Sequence, residues 1–226
     1  MKTISDIQHM FYINLDSRSD RRIHVEQQLA LVGLPIQRFN AIRLPNGALG
    51  CSMSHLKCLQ TAKANGWSHV LICEDDIKFL DPELFKKQIN GFLENNDNWD
   101  VVLLAGNNMP PYKVNDFYSV QVQQCQTTTS YLVKEHYYDK LIENIKEGMQ
   151  KLIKEPHRHV FFAIDKYWFK LQQEDKWFLI VPLTVIQKRD YSDIERRITN
   201  YTRAMTDLDK NFLMNQLSQA RKINHM

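Results

Sequence analysis

The sequence has little glycine and no nucleotide-binding signature built on it. Its seven glycines make neither G-x-G-x-x-G nor G-x-x-x-x-G-K-[ST], so Rossmann dinucleotide and P-loop readings lose their main support. G-x-S-x-G and H-E-x-x-H are also absent, which removes the cues for an α/β-hydrolase and a zincin. No C-x-x-C occurs among the four cysteines Cys51, Cys58, Cys73 and Cys125, and Cys58 and Cys73 sit in apolar patterns as small hydrophobes, so a reducing compartment is expected. No apolar run reaches 18 residues, and the segment Met1 to His9 carries Asp6 and lacks an apolar stretch. A cytosolic chain without a membrane span is therefore expected, with peripheral membrane contact left open. Lys+Arg number 29 against 26 Asp+Glu, and a net charge of +3 is far from the clustered excess that a nucleic-acid-binding chain shows.

What is present is an ordinary globular composition, 43% hydrophobic and 24% charged over 226 residues, enough to bury a core without disulfides. Met10-Phe-Tyr-Ile-Asn-Leu15 reads as a buried strand. The period then changes, with Val25, Leu29 and Val32 on one helical face, Ser17-x-x-Asp20 to supply an N-cap and Gly33-Leu34-Pro35 as the stop. Pro35 to Ala41 reads as a second strand and Cys51 to Ala64 as a second helix, opened by Gly50. His69-Val-Leu-Ile-Cys73 is apolar almost throughout, as a strand covered on both faces must be. Asp81-Pro82 caps a helix with Phe85, Ile89 and Phe92 inward, and Asp100 to Ala105 is a further strand.

Beyond Gly106 the pattern predicts a loop over Asn107 to Asn115, and a hairpin or edge strands over Ser119 to Val133. Helices are expected over Glu135 to Lys154 and Phe161 to Leu171, a strand over Trp177 to Leu183, and a closing helix over Arg203 to Arg221. The alternation implies one α/β domain with a mostly parallel central sheet flanked by helices, binding its ligand beyond the carboxyl ends of the strands at Leu15, Cys73 and Ala105.

Glu74-Asp75-Asp76 follows the most apolar strand. If the backbone stays extended, Glu74 and Asp76 share a face and Asp75 points away. Carboxylates so clustered repel one another, and a hard divalent cation such as Mn²⁺ or Mg²⁺ with a substrate diphosphate relieves this; the other reading is a solvated acidic turn. Arg18, Arg21 and Arg22, interleaved with Asp16 and Asp20, suit one small anion or else a solvated helix face. Gly50-Cys-Ser-Met-Ser-His55 offers a second helix start to an anion. His157-x-His159 has no third ligand at zinc spacing and reads as loop.

Taken together, three blocks resemble glycosyltransferase family 25, which includes bacterial lipooligosaccharide galactosyltransferases and procollagen galactosyltransferases. Phe11-Tyr-Ile-Asn-Leu-Asp-Ser-Arg-Ser-Asp-Arg-Arg22 resembles its opening motif, Gly50 to His55 its Gly-Cys-x-x-Ser-His block, and Val70-Leu-Ile-Cys-Glu-Asp-Asp-Ile77 its strand and DXD-like triplet. Thr127 to Val133, Ala163-Ile-Asp165 and Tyr191-Ser-Asp-Ile-Glu195 resemble later segments. The resemblance implies a GT-A-like fold and inverting, Mn²⁺-dependent transfer of a hexose, usually galactose, from a UDP-sugar to a hydroxyl of a glycan or hydroxylated peptide.

By that resemblance Asp76 holds the metal directly, and Glu74 reaches the ribose or the metal through water. Asn14, Leu15, Arg18, Arg21, Ser54, His55 and Asp75 surround the donor, and Asp165 is the general base. Two other functions stand beside this one: a nucleotide-sugar or glycan-binding homologue without turnover, and a metal-dependent nucleotidyl- or phosphotransferase.

Overall fold

The computed structural model describes residues 1–212. In chain order its elements are β1 (Met10–Asn14), α1 (Ser19–Val32), β2 (Arg38–Asn40), α2 (Gly47–Ala64), β3 (His69–Glu74), β4 (Ile77–Phe79), α3 (Pro82–Asn95) and β5 (Val101–Asn108). They continue as β6 (Tyr112–Val114), β7 (Ser119–Val122), β8 (Cys125–Lys134), α4 (Tyr138–Lys154), α5 (His159–Phe162), α6 (Ile164–Tyr167) and α7 (Phe169–Glu174). Last come β9 (Trp177–Ile180), β10 (Val185–Gln187), β11 (Asp190–Ser192), β12 (Arg197–Thr199) and α8 (Thr202–Thr206).

Among the described residues eight strands form one sheet, in the order β2-β1-β3-β8-β5-β9-β7-β6. Six of them run in one direction, and only β8 and β7 are reversed. This is the mostly parallel, helix-flanked sheet that the alternation of elements implies. The two-residue period explains why the strands are apolar throughout. On β1, Met10 and Tyr12 join a core with Val25 and Leu29 of α1 and Phe85 and Ile89 of α3. Phe11 and Ile13 join the opposite core with Leu56 and Leu59 of α2 and Leu141 and Ile145 of α4. Each layer of helices thus covers one face of the same strands.

Local chemistry sets the element ends. Gly33 ends α1 in the left-handed region at φ 72°, where a side chain would be strained. Asp81 caps α3 by accepting from the Leu84 N–H at 2.9 Å, with Pro82 behind it.

Several expectations are corrected. Helix α1 starts at Ser19 with Arg18 at the cap position and no side-chain cap from Ser17. Helix α2 starts three residues earlier than Gly50, where Asn46 accepts from Leu49 N–H at 3.2 Å, so the Gly50–His55 block lies inside the helix and its N–H groups are spent there. Gly50 is required for another reason: a Cβ there would lie 2.6 Å from the Ile42 carbonyl. The expected loop over 107–115 is largely strand, since β5 extends to Asn108 and β6 pairs with β7.

Strand β8 lies in the middle of the sheet, antiparallel to both β3 and β5, and does not pair with β7 as a hairpin. The predicted helix over 161–171 is broken into α5, α6 and α7, and α8 is a single short turn ending at Thr206. The remainder of the predicted closing helix, beyond residue 212, lies outside the described residues.

Candidate functional site

Strands β1, β3 and β5 end on the same edge of the sheet, where the reversed β8 begins. That edge opens into a cleft of about 1000 Å³ whose wall includes Leu15, Glu74, Asn107 and Thr128 from these strand ends. A cleft beyond the carboxyl ends of co-directional strands is where such sheets bind ligands.

The acidic triplet does not stay extended. The chain turns at Asp75 and Asp76 before β4, so both face α1 while Glu74 points toward α2. Arg21 of α1 lies between the two: its Nη1 is 2.9 Å from Asp75 Oδ1 and 3.5 Å from Asp76 Oδ2. Its Nε lies 3.3 Å from Asp190 Oδ2, and its Nη2 donates to the Tyr191 carbonyl at 3.0 Å. The side chains of Arg21, Asp75 and Asp76 are only 12%, 10% and 16% exposed. Asn14 completes the cluster by donating Nδ2 to Asp75 Oδ2 at 2.7 Å and accepting Arg38 Nε at 3.1 Å on its Oδ1.

One guanidinium does not neutralise this cluster. Burial, then the Glu74 carboxylate, pushes Asp76 well above the usual aspartate range despite Arg21, and burial raises Asp75 as well. Among the described residues Asp76 Oδ1 is buried and has no hydrogen-bond partner. An orphaned carboxylate oxygen among like charges, at the wall of an open cleft, fits a hard divalent cation, which takes oxygen ligands and relieves the repulsion.

Glu74 has a different set of neighbours. Its Oε1 accepts from Thr128 Oγ1 at 2.9 Å and lies 3.5 Å from Cys51 Sγ and 3.6 Å from His55 Nε2; its Oε2 accepts from Gln187 Nε2 at 3.3 Å. Burial opposes its charge, yet His55, Thr128 and Cys51 hold the Glu74 carboxyl below the ordinary glutamate value. Asp165 of α6 faces the same cleft and accepts the Thr127 N–H on Oδ2 at 3.1 Å. Burial raises its carboxyl, and Glu74 adds to this, against Lys166 and the Thr127 N–H. Thr127 has a left-handed φ of 79°, strained for a β-branched residue, where it aims that N–H at Asp165.

Across the mouth lies the hairpin of β11 and β12. Arg18 reaches it through Nη1 to Asp193 Oδ2 at 2.9 Å and Nη2 to Asp190 Oδ2 at 3.2 Å, and it also holds Asp20 at 3.0 Å. Burial works against the Asp190 charge, but the Tyr191 N–H, Arg21 and Arg18 keep its carboxyl below the usual value.

Of the residues expected at the donor, Leu15, Arg18, Arg21, Ser54, Glu74 and Asp75 line the cleft, as do Asp76 and Asp165. Asn14 and His55 are fully buried behind it. The Ser54 hydroxyl is engaged by the backbone, donating to Gly50 O and accepting from Ile42 N–H, both at 2.8 Å. The paired face expected for Glu74 and Asp76 is replaced by the split at the turn. Sequence reasoning missed Thr128, Gln187, Asp190 and Asp193 as partners of the site. Only the Tyr191 to Glu195 resemblance marked the hairpin, and it carried no role.

The family model described as "Glycosyltransferase family 25 (LPS biosynthesis protein)" matches residues 43–168, more than half of the chain. No curated protein matches the sequence at a significant level. Among solved structures, the chain is similar to a protein described as mannose-1-phosphate geranyltransferase from Thermus thermophilus at 10% identity and TM-score 0.48, covering 80% of this chain and 74% of that one. It is also similar to a glycosyltransferase involved in the glycosylation of the major capsid of PBCV-1, at 12% identity and TM-score 0.40, covering 76% and 91%. A third is the Drosophila beta-1,4-galactosyltransferase 7 in complex with manganese, UDP-Gal and xylobiose, at 11% identity and TM-score 0.38, covering 92% and 78%.

Proposed function

The chain belongs to glycosyltransferase family 25, and on that premise we propose that it transfers a hexose, galactose in first place, from a UDP-sugar to a hydroxyl of a glycan or hydroxylated peptide, with inversion and with a divalent cation. The observation that carries this reading is the orphaned Asp76 Oδ1 at the wall of a cleft that also gathers Arg18, Arg21 and Asp165. Asp76 would hold the cation, with Glu74 within reach of the ribose. Mn²⁺ bound there would offset the negative charge that develops on the departing UDP.

The chain's own residues supply the rest. Arg18 and Arg21 present guanidinium N–H groups to the diphosphate, a planar fork that suits phosphate oxygens. Both are paired with acids of the β11–β12 hairpin, so the donor's phosphates would compete with Asp190 and Asp193 for them. Asp165 takes the proton of the acceptor hydroxyl as its oxygen forms the new bond to the anomeric carbon. The bond from that carbon to the β-phosphate oxygen breaks with its electron pair leaving on UDP. The burial that raises the Asp165 carboxyl makes it a stronger base than a solvated aspartate. A single displacement of this kind inverts the anomeric centre.

The test is UDP release from a panel of UDP-sugars without acceptor, with Mn²⁺ and then with EDTA. Slow Mn²⁺-dependent release from one sugar, stopped by EDTA, is expected and identifies the donor. UDP binding without release from any sugar would leave a binding module. Release of pyrophosphate or phosphate in place of UDP would move the reading to a nucleotidyl- or phosphotransferase.

A further inference from the structure

Glu74 turns its carboxylate away from Arg21 and toward α2, where Cys51 and His55 are four residues apart and therefore on one helical face. Among the described residues these three alone form a group of His, Cys, Asp or Glu whose ligating atoms all lie within 4.8 Å of one another. Two of the edges are 3.5 Å, from Cys51 Sγ to Glu74 Oε1, and 3.6 Å, from His55 Nε2 to the same oxygen. A tetrahedral ion with a metal–sulfur bond of about 2.3 Å and metal–nitrogen or –oxygen bonds of about 2.0–2.2 Å sets its ligand atoms roughly 3.3–3.6 Å apart. The two edges at Glu74 Oε1 thus match the spacing around a small tetrahedral ion, and the third, from Cys51 Sγ to His55 Nε2, is within 4.8 Å.

A second observation points the same way. The His55 ring is wholly buried, and its Nε2 has no hydrogen-bond partner among the described residues; an oxygen 3.6 Å away is not one. The other ring nitrogen, Nδ1, is held by Tyr131 Oη at 2.9 Å. With the proton on Nδ1 and donated to Tyr131, Nε2 presents a lone pair to Glu74 that a cation between them would satisfy; with Tyr131 donating instead, the Nε2 proton faces Glu74 across 3.6 Å. An outer hydrogen bond of this kind is what commonly fixes the tautomer of a metal-bound histidine. Thr128 and Gln187 orient the carboxylate in turn. Cys51 and Glu74 both line the cleft, so an ion has a way in.

We propose that Cys51, His55 and Glu74 form a binding site for a thiophilic divalent cation of the Zn²⁺ class, separate from the carboxylates of Asp75 and Asp76. Sulfur, imidazole and carboxylate together select such an ion over Mg²⁺ or Mn²⁺. Binding releases the Cys51 thiol proton to solvent and forms the sulfur–metal bond. The site does not depend on the transferase reading. Where that reading holds, an ion here withdraws Glu74 from the donor, and Zn²⁺ inhibits turnover even with Mn²⁺ in excess.

The test is a Co²⁺ titration of the full chain, followed by absorption, with unfolding in EDTA run on every variant to establish that it is folded. Wild type is expected to take up Co²⁺ with a near-ultraviolet sulfur-to-cobalt charge-transfer band that saturates at one equivalent and is displaced by Zn²⁺. Cys51→Ser should lose that band and bind at least about tenfold more weakly, while Asp76→Ala should keep it. Cys51→Ala replaces Cys51→Ser if the serine variant does not fold. No sulfur band in wild type would overturn the proposal and leave the three side chains as a support for Glu74. A band that survives in the Cys51 variant, or that vanishes in folded Asp76→Ala, would overturn it as well.

Discussion

Replacing Arg21 with alanine is expected to destabilise the protein by about 3–5 kcal/mol, the cost of leaving a buried charge without its partner. Among the described residues Arg21 is the one guanidinium in contact with Asp75, Asp76 and Asp190 together, and its contacts of 2.9, 3.5 and 3.3 Å to them are made from a side chain that is itself mostly buried. Asp75 and Asp76 are above the ordinary aspartate value even with Arg21 in place. The folded state thus binds those protons more tightly than the unfolded chain. Stability tied to them falls as pH rises from the ordinary carboxylate range through the raised values. The deficit of Arg21→Ala should therefore be largest at neutral pH and shrink on acidification. Arg21→Lys, which keeps the charge but not the fork, should lose less. Urea unfolding between pH 4 and pH 8 checks this, and a loss below about 1 kcal/mol at pH 7 would mean that solvent, not Arg21, carries the charge of the cluster.

The second large effect is expected at Asp165. Its oxygen faces the cleft and its carboxyl is raised by burial, with Glu74 adding to the rise. A general base acts only when unprotonated, so kcat/KM for UDP release should climb with pH through that raised value. Asp165→Asn should lower release by about 10²–10⁴-fold, the usual contribution of a positioned base, while UDP affinity in Mn²⁺ stays within about threefold of wild type. The Asn side chain retains an oxygen to accept the Thr127 N–H, so local structure should hold. Undiminished release from Asp165→Asn, or a pH profile unchanged by it, would remove Asp165 from the chemistry.

The sheet was legible where both faces of a strand are buried. His69 to Cys73 gives an unbroken apolar run because Val70 and Ile72 fill one core and Leu71 and Cys73 the other. Strand β8 defeated the same reading. Its central place depends on pairing with β3 and β5, and nothing within its own residues distinguishes a reversed central strand from an edge. The break between α5, α6 and α7 was hidden in a similar way, since apolar residues recur across it at helical spacing.

At the site, the position of Glu74-Asp75-Asp76 at the end of a buried strand could be read directly, but the turn that parts Glu74 from its neighbours could not. The partners that give each residue its state come from far away in the chain. Asp190 and Asp193 reach Arg18 from over 170 residues distant, and Gln187 and Thr128 reach Glu74 from two other strands. Such contacts follow from the packing of the sheet edge, and sequence spacing carries no trace of them. The Cys51–His55 spacing on α2 was visible, but without Glu74 folded against it there was no reason to read a metal from it.

The central claim is that this cleft binds a nucleoside diphosphate through a cation held by Asp76, and calorimetry of UDP binding to wild type and Asp76→Ala tests it most directly. Tight binding to wild type in Mn²⁺, lost by at least about two orders of magnitude both in EDTA and in Asp76→Ala, is the result predicted. Equal affinity with and without the metal, or with and without Asp76, would contradict it.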